Sequence, residues 1–134
     1  MKATGTFKID SWAPTPYDEQ PGATLTRTAV TKTFLGEVAG TSTAELLMAM
    51  AQNDSAAYVG LERFAGSVKG RTGTFVFHHS ATMSRAGAAL SLTIVPDSGT
   101  DDLKGISGAG TIGDGPEGGH TFELDYELAA TADD

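Results

Sequence analysis

Two side chains with complementary proton chemistry, Glu62 and His79, stand on the two arms of what the sequence marks as a single hairpin. Residues 58–83 read YVGLERFAGSVKGRTGTFVFHHSATM. Two alternating runs flank Lys69-Gly70-Arg71-Thr72-Gly73, whose glycines and polar residues suit a tight reversal. Successive strand side chains point to opposite faces, so Phe75, Phe77, His79, Ala81 and Met83 share one face of the second arm. On the first arm Tyr58, Gly60, Glu62, Phe64 and Gly66 share a face, with Val59 and Leu61 giving the other face apolar weight of its own. A carboxylic acid kept neutral by an apolar wall donates a proton, and a carboxylate paired with imidazole accepts one. If Glu62 and Glu45 face inward, each needs a partner such as Arg27 or His79, or must take up a proton. The plainer reading makes His79 a hydrogen-bonded core histidine, Glu62 part of a network that fixes strand register, and Glu45 a structural acid.

Other chemistry finds little support. The chain has 0 Cys, which removes disulfides, thiolate metal sites and a cysteine nucleophile. His78 and His79 are adjacent, so on a strand they face opposite ways and cannot share an ion, and His120 follows a glycine loop far along the chain. No metal is expected. SGAG and GDGPEGG lack the Lys-Ser or Lys-Thr and the helix of a phosphate cradle, and Ser107 lacks the second glycine of a nucleophile elbow. No cofactor is expected. Asp plus Glu number 17 against 9 Lys plus Arg, and a net charge of −8 repels phosphate backbones and anionic lipid. Nucleic acid and membranes are therefore not expected partners. No apolar run approaches the ~20 residues of a membrane span, and the expectation is a cytoplasmic protein.

The elements that must position Glu62 and His79 are strands. Of the 134 residues 17 are Gly, and β-branched and aromatic residues recur in short runs between them. Strands are predicted over residues 4–12, 25–36, 41–50, the two arms of the hairpin, 88–95, 103–112 and 120–128. Residues 13–22 hold three prolines and are predicted to be a loop over one end of the domain. Residues 44–52, AELLMAMA and Gln52, also suit a helix, but turns lie close on both sides and favour a strand. The last strand alternates most cleanly, with Phe122, Leu124, Tyr126 and Leu128 opposite Thr121, Glu123, Asp125 and Glu127. Eight strands joined by short turns predict one all-β domain over residues 1–134, an antiparallel up-and-down β-barrel with residues 129–134 as a flexible acidic tail. A two-sheet sandwich is the alternative.

From residue 4 nearly to its end the chain resembles the bacterial DUF3224 proteins, a family without an assigned activity. The resemblance rests, in order, on TGTF, LTRTAVTKTFLGEVAGTSTAELLM, the hairpin sequence above, VPDSGTDDLKGISGAG and FELDYEL. It implies an eight-stranded barrel similar to that of allene oxide cyclase, and it assigns no catalytic residue. An eight-stranded barrel is just wide enough to be filled by side chains or to hold one small ligand. One expectation is a cofactor-free cyclase or isomerase acting on a small hydrophobic organic molecule, with Glu62 and His79 catalytic. Trp12, Arg27, Phe34, Glu45, Tyr58, Phe75, Phe77 and Tyr126 would then contact the ligand, which enters near Trp12 and residues 14–21. The alternatives are a carrier or sensor using the same cavity, and a filled barrel acting through its outer surface, with a homo-oligomer among the options.

Overall fold

The computed structural model of the chain describes residues 1–115 and 119–128, so the expected acidic tail over 129–134 lies outside the described residues. The strands are β1 (Lys2–Gln20), β2 (Ala23–Gly36), β3 (Val38–Ala51), β4 (Ala56–Val68), β5 (Arg71–Ser84), β6 (Gly87–Ile94), β7 (Ser107–Asp114) and β8 (His120–Glu127). Each pairs antiparallel with the next, and β8 returns to β1 to close a barrel. Residues 44–51 belong to β3, so the strand reading of that segment holds. Within the central hairpin the reversal is shorter than expected. Only Lys69 and Gly70 turn, both at positive φ (47° and 83°), which matches the twist of the flanking strands, and residues 71–73 are already in β5.

Two segments depart from the sequence reading. Residues 13–20, expected as a loop, continue β1 in register with β2, Pro14 opposite Thr28 and Pro16 opposite Thr26. Beyond Phe7 the strand has no partner on its other side among the described residues, and a prolyl nitrogen that has no hydrogen to donate is tolerated at such an edge. Residues 103–106, expected to begin a strand, instead leave a short 3₁₀ turn (Asp101–Leu103) that carries Leu103 and Ile106 into the interior, 0% and 1% exposed. Their burial closes one end of the barrel and delays β7 to Ser107.

That end is packed with aromatic rings. The chain has 6 Phe, and every one is buried there. Phe34, Phe64, Phe75, Phe77 and Phe122 touch in a closed circuit with ring centroids 4.9–5.8 Å apart, mostly edge to face, and Phe7 joins it against Phe34. At the seam Gly40 of β3 lies opposite Gly66 of β4, and a Cβ on either would overlap backbone of the other strand. The other end differs because β6, β7 and β8 have 8 residues each while β2 to β5 have 13 or 14. Pairing of β6 with β7 is confined to Thr93 opposite Ala109, and β8 meets β1 only over residues 2–7 of β1. The outer halves of β1 and β6 therefore part, and the barrel flares open. Phe34→Ala, which removes a ring in contact with three others, is expected to lower unfolding free energy by about 3–5 kcal/mol in urea melts. Leu35→Ala, on the exposed face of the same strand, is expected to change it by about 0.5 kcal/mol or less.

Candidate functional site

Between the phenylalanine circuit and the flare lies a polar layer. A smaller apolar group, Val30, Ala44 and Leu46 with Met48 and Tyr58 packed on it, sits on the flared side. Glu62, only 2% exposed, accepts from Lys32 Nζ at 3.0 Å through Oε1 and from Ser42 Oγ at 2.6 Å through Oε2. Lys32 is itself buried, with its ammonium 4.8 Å from the centroid of Phe7. His79 Nε2 stands 3.2 Å from Glu62 Oε1, close enough to feel the charge but too poorly aligned for a full hydrogen bond, and it has no other partner among the described residues. Its Nδ1 is 2.9 Å from Tyr58 Oη. A bare Nε2 lone pair facing a carboxylate would be repelled. The arrangement therefore assigns the proton to Nε2 and makes Nδ1 the acceptor of the Tyr58 hydroxyl. The chain from the flare inward is Tyr58, His79, Glu62, and then Lys32 and Ser42.

The charges are set by this packing. Burial alone pushes the Glu62 carboxyl up, but His79, Lys32 and Ser42 together outweigh it and hold the group at about 2, against an ordinary 4.5. Glu62 is thus held as a carboxylate beside the imidazole, the paired one of the two forms weighed from sequence. Burial first, and the Glu62 charge second, raise the Tyr58 phenol above its ordinary value, so it stays protonated and able to donate.

The expected site residues divide three ways. Glu62, His79 and Tyr58 share the interior, as their alternation with Phe64 and Phe77 indicated. Phe34, Phe75 and Phe77 are buried at the packed end within the ring circuit, and Tyr126 is buried in the same core, so these four side chains fill the interior there. Arg27 and Glu45, expected as lumen partners, are on the outer face, 2.6 Å apart, with side chains 67% and 56% exposed. Both faces of β3 are apolar enough for alternation to mislead there, and Leu46 rather than Glu45 is turned inward. Lys32 and Ser42 were missed, although Lys32 alternates with Val30 and Phe34, a signal of a buried cation needing an anion. His78, outside, and His79, inside, do face opposite ways.

Above the polar layer the inner face stays buried through Val30, Thr28, Thr26, Leu46 and Ala81, and exposed apolar side chains appear only at its margin. Trp12 lies opposite the buried Val30, and Leu90 lies opposite the buried Ala81. Met50 shares a face with Leu46, and Met83 with His79. All four are inward by register yet 41–50% exposed, forming an apolar rim above Tyr58.

Because the folded pKa of Glu62 lies below the unfolded one, its contribution to stability is complete above pH 4.5 and is lost as pH falls toward 2. The difference in unfolding free energy between the native chain and Glu62→Gln is expected to be constant above pH 5 and to shrink by about 3 kcal/mol across that window. At neutral pH Glu62→Gln, which strands the Lys32 charge, is expected to cost about 3–5 kcal/mol, and Lys32→Met with Glu62→Leu less than that. Urea melts at a series of pH values measure both.

Similarity to known proteins agrees with this barrel. The family model described as "Protein of unknown function (DUF3224)" matches residues 3–126. The crystal structure of a protein of unknown function from the DUF3224 family of Shewanella oneidensis MR-1 is 34% identical and superimposes with a TM-score of 0.86, covering 97% of this chain and 98% of that one. None of the curated proteins compared matches. With its family pattern spanning nearly the whole length, and a relative of the same shape at that identity, the chain belongs to the DUF3224 family.

Proposed function

We propose that the flared end of the barrel binds one small, largely apolar organic molecule, with the Tyr58 hydroxyl as its polar anchor. The observation that carries this reading is the rim of inward-facing but exposed Trp12, Met50, Met83 and Leu90 directly above a buried, hydrogen-bonded polar layer. An apolar concavity with few convergent polar groups is the usual form of a small-molecule site. Tyr58 gives its proton to His79 and keeps lone pairs free, so it favours a ligand that carries a hydroxyl or other donor. The ion pair behind it is internally neutral, which favours an uncharged ligand.

A second reading, turnover by a cofactor-independent isomerase or cyclase, is favoured by the Tyr58, His79, Glu62 chain. A substrate proton taken by the Tyr58 oxygen as Tyr58 passes its own to His79 Nδ1 would leave an imidazolium facing the Glu62 carboxylate. The reverse transfer would return a proton to a different carbon.

The chain has one tryptophan, Trp12, at this rim, so its fluorescence reports on occupancy. N-phenyl-1-naphthylamine, an uncharged apolar probe with an N–H donor, is expected to brighten and to quench Trp12, and Leu90→Arg or Met83→Arg to weaken it about tenfold or more. Weakening by Val59→Glu on the outer face, with no effect of the two rim variants, would overturn the reading.

A further inference from the structure

The outer surface of β2 to β6 is unlike the rest of the chain. Leu47, Val59 and Leu61 are outward on neighbouring strands and 49%, 55% and 58% exposed, with Leu47 directly opposite Val59. They form a ridge between two recesses. One, of about 440 Å³, is floored by small residues including Ala49, Ala57, Ser80 and Ala89. The other, of about 670 Å³, is bordered by Arg27, Glu45 and His78. A ridge beside a recess on one surface is self-complementary: a two-fold axis seats each ridge in the other copy's recess.

Charge selects the same surface. The chain carries −8, so two copies repel unless they meet where acids are few. Of its 17 acidic residues, Glu62 is buried, and Glu45 alone projects from the outer face of β2 to β6. Arg27 neutralises it, and Arg63 of β4 adds a positive charge nearby. The other described acids lie on β1, β7, β8 and the connections. Five strands spaced about 4.8 Å apart, over about ten residues, offer about 800 Å² of plane. That equals what each partner of a stable interface usually buries, about 800 Å².

We propose that the outer face of β2 to β6 joins two copies of this chain in a two-fold symmetric dimer, with Leu47, Val59 and Leu61 at its centre. Trp12, Met50 and Met83 line neither recess, whereas Tyr58 and Leu90 also border the first.

Sedimentation velocity of the full chain is expected to give twice 13.8 kDa, the dimer dissociating on dilution. Val59→Glu with Leu61→Glu, at positions more than half exposed, is expected to keep the native far-ultraviolet circular dichroism and to weaken association about 100-fold or more. Arg27→Glu, which leaves two acids on this face, is expected to weaken it about tenfold at low salt, with much of the loss returning at about 0.5 M salt. A native chain that stays monomeric up to about 1 mM overturns the proposal. So does a folded Val59→Glu, Leu61→Glu variant as dimeric as the parent. Should that variant not fold, an Arg27→Glu dimer that is unchanged at low salt overturns it equally.

Discussion

Unequal strand length governs this molecule. A cylinder of eight strands is closed only as far along its axis as its shortest members reach, and β6, β7 and β8 reach little more than half the length of β2 to β5. Where all eight overlap, the single β6 to β7 pair completes the ring and the phenylalanine circuit fills the interior. Where the short strands have ended the long ones continue, their inward side chains buried through Thr26, Thr28, Leu46 and Ala81, while Trp12, Met50, Met83 and Leu90 at the margin meet solvent. The prolines of β1 sit along its free edge, where they discourage the pairing of another strand with the flare.

The Lys32–Glu62 pair marks the boundary between these halves. Buried ion pairs are weak contributors to stability, because desolvation offsets most of their attraction, and an apolar pair of equal size would serve the fold as well. Their presence here has a different effect. Glu62 cannot leave its place without uncovering a charge, so Ser42, Lys32 and His79, from three different strands, are held to one geometry. His79 is thereby aimed at Tyr58, the one member of the group that reaches the flare. The charges thus lie beneath a partly buried phenol whose hydroxyl is held by His79.

The barrel wall also has two apolar sides over β3 and β4, which a simple inside-outside division does not need. Inside, Leu46 and Met48 pack toward Val30 and Tyr58. Outside, Leu47, Val59 and Leu61 meet solvent. The acids gather on the far side and on the connections, so the outer surface of β2 to β6 carries few negative charges.

Alternation with period two was enough to read the eight strands, and their short connections were enough to read a meander closing on itself. The same rule put Tyr58, Glu62 and His79 on the side of the phenylalanines, because each lies an even number of residues from Phe64 or Phe77. It failed for Glu45, where both neighbouring faces are apolar and parity carries no preference, and for residues 13–20, where proline argues against a strand only if both edges are paired. Which cation would meet Glu62 depended on register between β2 and β4, strands separated by β3 and related only through the tilt that barrel closure imposes. Local sequence therefore determined what each strand presents to each side. How far the cylinder closes, which charges become neighbours across it, and where inward apolar side chains reach solvent were decided by tertiary structure, because these follow from lengths and offsets summed around the whole wall.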